Sequence, residues 1–236
     1  MVSLKVLTAF TLATFASAVS IQPRQATYID PKSFGGSSLG YFSGNPNGEP
    51  LNIIVTGIGS ADTFSAWYKA IGGSPFFSTV MSRQADIVLA FRFNASLENR
   101  IRGGAMQAFI DSRGLRDQEG EIRFAYGEDP DAEGSCLESA IGGSHFRFWQ
   151  QKGTQAWFLA ASREKNVFDH HDIVPDGYDI NRDDIVKAAT ESSSYKGKNF
   201  IASVSYVSGL LPSGSDGINH GIAIDGQTAV LSVTVS

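Results

Sequence analysis

The chain of 236 residues has a single cysteine, Cys136, so no intrachain disulfide can staple it. Its stability therefore has to come from a core, and a chain of this length can bury about 70 % of its unfolded surface. Cys136 is read as a small buried hydrophobe between Ser135 and Leu137, with a nucleophile or an intermolecular bridge as the functional alternatives. Basic runs are also missing: 19 Lys and Arg stand against 24 Asp and Glu, a net charge of −5. That balance argues against nucleic acid or an anionic membrane as the main partner. After the first residues, no stretch approaches the roughly 18 uninterrupted apolar residues of a membrane helix. No serine lies in G-x-S-x-G, and there is no H-E-x-x-H, C-x-x-C or Walker loop. Internal repeats are absent as well.

What is there begins with an export signal. Met1–Ala18 carries Lys5, an apolar run from Val6 to Ala16, and the small residues Ala16-Ser17-Ala18 that a signal peptidase reads. The sequence thus predicts a secreted, extracellular protein whose mature chain starts near Val19. Asn94-Ala95-Ser96 is the only glycosylation sequon, which in a eukaryotic secreted glycoprotein places Asn94 on the surface. Residues 19–47, rich in Gly, Ser, Pro and Asn, read as a flexible leader that becomes extended near Leu39–Phe42.

The globular part is expected over 48–236. Leu51–Thr56 is a β-branched apolar run, hence a central strand. Ser60 then caps a helix whose Phe64, Trp67, Tyr68 and Ile71 follow helical spacing up to Gly72-Gly73. The joint Gly57-Ile58-Gly59-Ser60-Ala61-Asp62 imitates a dinucleotide fingerprint. Asp62 stands where the third glycine belongs, so a tight turn rather than a dinucleotide-binding site is the reading, no cofactor-binding residue is named, and whether the protein takes a cofactor stays open. Further strands are predicted over 86–93, 121–126 and 200–207, and helices over 96–112, 136–141 and 182–190, the last capped by Asn181. The stretch 127–134 reads as an acidic solvated loop. His145–Gln150 and Ala156–Ser162 flank Lys152-Gly153-Thr154 as a hairpin, with His145, Arg147 and Trp149 on one face and Phe146 and Phe148 on the other. Asp225-Gly226 predicts a second hairpin joining 221–224 to 227–235. The fold class is α+β: one domain, with a mixed, mostly antiparallel sheet and a few packed helices.

Three of the four histidines fall between His145 and Asp183. The candidate site is the polar cluster His145, Arg147, His171, Asp176, Asp179 and Asp183, with His170 and Asp172 beside it. Two imidazoles and a carboxylate can hold a metal ion. Alternatively, a histidine oriented by an aspartate can act as a general base while Arg147 holds an anion. A structural account is equally available. Pro175-Asp176-Gly177 is a turn sequence, Asp183 suits a helix N-terminus, and Arg147 can pair with an aspartate to pin the loop to the sheet. Asp179–Asp183 imitates the start of a calcium loop, but Asp184 replaces the required glycine and Thr190 the final acid. His220 joins the cluster only if the C-terminal strands pack beside the central hairpin.

His145-Phe146-Arg147-Phe148-Trp149 matches an H-V-R-[LF]-W strand, and Trp157–Ser162 matches W-[LV]-G-A-A-[ST]. His171, Ile173, Pro175, Asp176, Asp179, Arg182 and Asp183 match an H-x-I-x-P-D-x-D-x-x-R-D-like segment. Through these the chain resembles the LssY C-terminal-like domain and the fungal secreted proteins related to it, from about Leu51 to Ala188. It differs at Ser144, where that family often has a further histidine, and at Gly177-Tyr178, which add a residue. The resemblance implies no settled activity. Two expectations follow: an extracellular binding module for an unknown ligand, or an extracellular hydrolase using the His and Asp cluster with or without a metal.

Overall fold

A computed structural model describes residues 27–75, 105–124, 142–169 and 172–236. The signal segment, Asn94, Cys136, His170, His171, the strand expected over 86–93, the acidic loop and the helix expected over 136–141 lie outside these residues. Among them the chain forms β1 (Leu39–Tyr41), β2 (Glu49–Pro50), β3 (Ile53–Thr56), α1 (Ala61–Ala70), β4 (Gly73–Pro75), β5 (Gln107–Phe109), β6 (Leu115–Asp117) and β7 (Gly120–Phe124). It continues with β8 (Ser144–Gln150), β9 (Trp157–Arg163), α2 (Gly177–Thr190), β10 (Ser193–Tyr195), β11 (Lys198–Ser208) and β12 (Gln227–Val235). The large sheet has the order β10-β11-β12-β3-β9-β8-β7-β4 and the small one β2-β1-β5-β6. Its one parallel ladder joins β12 to β3; the others are antiparallel. The fold is α+β with a mixed, mostly antiparallel sheet.

Alternation along each strand sorts the core into two layers. Ile53, Val55, Phe146, Phe148, Trp157, Leu159 and Leu231 point to the face covered by α1 and α2. Ile54, Trp149, Phe158, Ala160 and Val230 point the other way, onto Met106, Ala108 and Ile110 of the small sheet. The expected succession of strand, tight turn and Ser60-capped helix holds, the strand running over Ile53–Thr56. Ser60 Oγ accepts from the Thr63 amide at 3.2 Å, and Phe64 stacks on Trp157 with centroids 4.2 Å apart. Gly57 has φ +86°, and a Cβ there would lie 2.1 Å from the Val233 carbonyl, so the joint is a tight turn pressed against β12. The central hairpin pairs as expected, from Ser144 opposite Arg163 to Gln150 opposite Trp157.

Four expectations are corrected. Within the leader, residues 27–47 are built into the fold. Tyr28 packs on Phe158, the Ile29 amide donates to the Gln151 side chain, and β1 pairs with β2 and β5. The helix expected over 96–112 gives way, where it is described, to extended chain holding the strand Gln107–Phe109, because Met106, Ala108 and Ile110 bury every second residue rather than every third or fourth. Helix α2 starts at Gly177, not Arg182. Its buried stripe runs through Gly177, Tyr178, Asn181, Arg182, Ile185, Val186 and Ala189, and two of these are polar, which hides the first turn from an apolar pattern. Residues 221–224 do not pair with β12. β11 takes that place over a long ladder, from Phe200 opposite Val235 to Ser208 opposite Gln227.

Candidate functional site

His145 and Arg147 project from β8 toward the small-sheet side, and register supplies their neighbours. Glu121 of β7 stands opposite Arg147, and Ser162 of β9 stands opposite His145. Arg147 forms ion pairs with Glu49 of β2 at 3.3 Å and with Glu121 at 3.4 Å, and its guanidinium lies over the Phe42 ring. Burial alone would depress the guanidinium, but the carboxylates of Glu121, Glu49 and Glu164 outweigh it and hold its pKa above the ordinary value. Glu49 also accepts from the Asn219 side chain, and Tyr178 donates to the Asn219 carbonyl. Burial, with Glu49 close by, pushes the Tyr178 hydroxyl up, so it stays protonated.

The surroundings of His145 decide what it can do. Arg147 Nη1 lies 3.0 Å from Nε2, Ser162 Oγ 3.3 Å, Glu164 3.6 Å and Glu121 3.8 Å, all at the same ring nitrogen. A serine–histidine–carboxylate relay needs the hydroxyl on one nitrogen and the carboxylate on the other. Here Nδ1 is buried without a hydrogen-bond partner among the described residues. Among the described residues the arrangement therefore lacks the polarity that makes serine a nucleophile. His145 is 1 % exposed, so substrate has no direct approach to it.

Two aspartates of the predicted cluster, Asp179 and Asp183, belong to a second network, centred on Arg182. Its Nη1 donates to Asp225 at 2.7 Å and to Asp179 at 3.2 Å, and its Nε donates to Asp183 at 2.8 Å. The Tyr206 hydroxyl donates to Asp183, and the Asp225 amide donates to Asp179. The network ties α2 to β11 and to the start of β12. Despite partial burial, the bonds from Arg182 and the Gln227 amide hold Asp225 below the usual carboxylate range, while burial pushes Asp179 above it. Asp176 is exposed in a left-handed conformation (φ 58°) before α2 and makes no side-chain capping bond. Asn181 turns inward and donates to the carbonyls of His145 and Ser162. Asp179–Asp183 is thus helix, not a calcium loop.

Arg147, for which an aspartate partner was one expectation, pairs with glutamates instead, and Asp183 serves the other network. The glutamates Glu49, Glu121 and Glu164 escaped the sequence reading because they are far apart in the chain. Only the strand register, Glu121 opposite Arg147, could have placed one of them. His220 (φ 58°) does approach the region, with Nδ1 3.7 Å from Asp172. Among the described residues no group of three or more His, Cys, Asp and Glu is arranged to hold a metal ion. No helix among them is long and apolar enough to cross a membrane. Comparison of the chain with protein-family models, curated proteins and solved structures finds no match.

Proposed function

We propose that the protein is secreted and acts outside the cell as a binding module. In this reading an LssY C-terminal-like domain follows a signal peptide (1–18), and residues 27–47, expected as a leader, are part of its fold. The observation that carries it is the inward commitment of the predicted site. Arg147 is already shared between Glu49 and Glu121, and His145 is enclosed with its polar neighbours among the described residues on one nitrogen. Groups held this way weld layers together, and an extracellular ligand docks elsewhere. The alternative, an extracellular hydrolase, is favoured by one observation. The His220 and Asp172 side chains lie together at the surface, 33 % and 57 % exposed, where a substrate can reach them.

A panel of chromogenic esters, phosphoesters and glycosides separates the two. The binding reading expects no hydrolysis above background by the purified protein, and an unchanged melting temperature for His220→Ala. Hydrolysis abolished by His220→Ala in a protein that still melts normally would replace it with the hydrolase.

A further inference from the structure

β11 carries an open edge, and its geometry says what fits there. Asn199 and Ser236 exchange both backbone hydrogen bonds, so odd-numbered residues of β11 aim their peptide groups at β12. Even-numbered residues aim theirs the other way. β10 covers that side only as far as Ser193 opposite Phe200. The peptide groups of Ala202, Val204, Tyr206 and Ser208 therefore face outward, with no strand beside them among the described residues. Natural edges are usually guarded by lysine, proline or a bulge. Here no charge occurs between Lys198 and Asp216, and no proline before Pro212. Ile201 is 61 % exposed, Tyr206 47 % and Val204 37 %.

We infer that this edge pairs with the same edge of a second copy, antiparallel about a two-fold axis at Ser205. The open stretch is bounded at one end by β10, opposite Phe200, and at the other by Gly209, whose φ of +90° turns the chain away. Of the antiparallel registers, the one centred on Ser205 uses the whole stretch 202–208. It sets Ala202 opposite the second copy's Ser208 and Val204 opposite its Tyr206, each pair able to exchange both backbone bonds. Val204 with Tyr206 is a β-branched–aromatic pair, and Ser205 meets its own copy across the axis, both favourable cross-strand combinations. The chain leaves at Gly209 where the second copy's β10 begins, so neither strand obstructs the other. Lys32 donates to the Gly209 carbonyl, and the pairing brings its ammonium toward the second copy's Glu191, just before β10. The closed two-fold unites two large sheets into one and covers both β11 edges, so this contact stops at two copies. This pairing is independent of the extracellular ligand and of the family resemblance.

Sedimentation velocity over a concentration series tests it on the whole secreted chain. The expected result is a mass that rises from one copy to two and stops there. Ser205→Lys sets two ammonium groups opposite each other at the axis and should return the protein to one copy with its circular dichroism unchanged and a melting temperature that no longer depends on concentration. Residues facing across the axis in a non-hydrogen-bonded pair have Cα atoms about 4.5 Å apart, within disulfide range. Ser205→Cys should therefore cross-link under mild oxidation, while Ser203→Cys, displaced along the strand from its own copy, should not. A one-copy mass at every concentration, growth beyond two copies, a dimer that survives Ser205→Lys, or equal cross-linking by both cysteines would overturn the inference.

Discussion

Replacing Arg147 by alanine leaves Glu49 and Glu121 inside the protein without their cation. The expected cost is about 3–5 kcal/mol, the range for removing one partner of a buried pair, read from denaturant melts. Glu49→Gln should be costly too, and the double variant should cost less than the sum, as directly interacting groups do. Arg147→Ala combined with Asp183→Ala should instead be additive within about 0.5 kcal/mol, because the two side chains serve different networks. A large coupling there would mean that the networks communicate. Two features of this region could be read from sequence: that His145 and Arg147 share a strand face, and that charge gathers around them. Their true partners could not. Glu49 lies on a two-residue strand within a stretch that reads as irregular, and Glu121 becomes a neighbour only through the pairing of β7 with β8. Asp179 and Asp183, close in sequence and matching one motif, turn out to serve Arg182.

Helix α1 was legible because its cap, its apolar stripe and its terminating glycines agree. Ser60→Ala should cost about 1 kcal/mol by thermal or urea melts. Helix α2 was half legible, since Asn181 and Arg182 occupy its buried face and interrupt the apolar period. Asp176 precedes it in a left-handed conformation that glycine adopts at no cost. Asp176→Gly should therefore leave stability unchanged or raise it by up to about 1 kcal/mol, whereas a working carboxylate would show itself by lost function. The Arg182 network makes the docking of α2 sensitive to acid. Asp225 titrates below its ordinary value, so its contribution is complete above the unfolded carboxylate pKa and vanishes as pH falls through the folded one. Asp111 follows the same sign: burial opposes its ionisation, but Arg113 and the Lys152 amide outweigh burial. Asp179 has the opposite sign, its contribution being present in acid and lost as pH rises through its raised pKa. Melting temperatures from about pH 7 down to about pH 3, across the ordinary carboxylate range, should fall for the wild type. Asp225→Asn and Asp111→Asn should start lower and converge with it in acid. Parallel curves would remove these carboxylates from the account.

For the whole molecule, the export reading predicts secreted material whose first residue is at or near Val19, checked by N-terminal sequencing. Retention of Met1 on secreted protein would remove the basis for that compartment. The α+β class was legible from strands and helices interleaved early and strands alone late. The insertion of β12 between β3 and β11 was not, because Asp225-Gly226 offered a nearer partner and no local signal announces a pairing across the length of the chain. That insertion sets the order in which the molecule can be made. Ile53 waits for Ala229, and Val55 for Leu231, so the middle of the large sheet has a vacancy until the last of the described strands leaves the ribosome. Contacts of such sequence separation are slow to form, because the loop must close before any contact rewards it. Under the export proposed above, that delay would keep the polypeptide pliable during passage, and β12, arriving last, would lock the sheet afterwards.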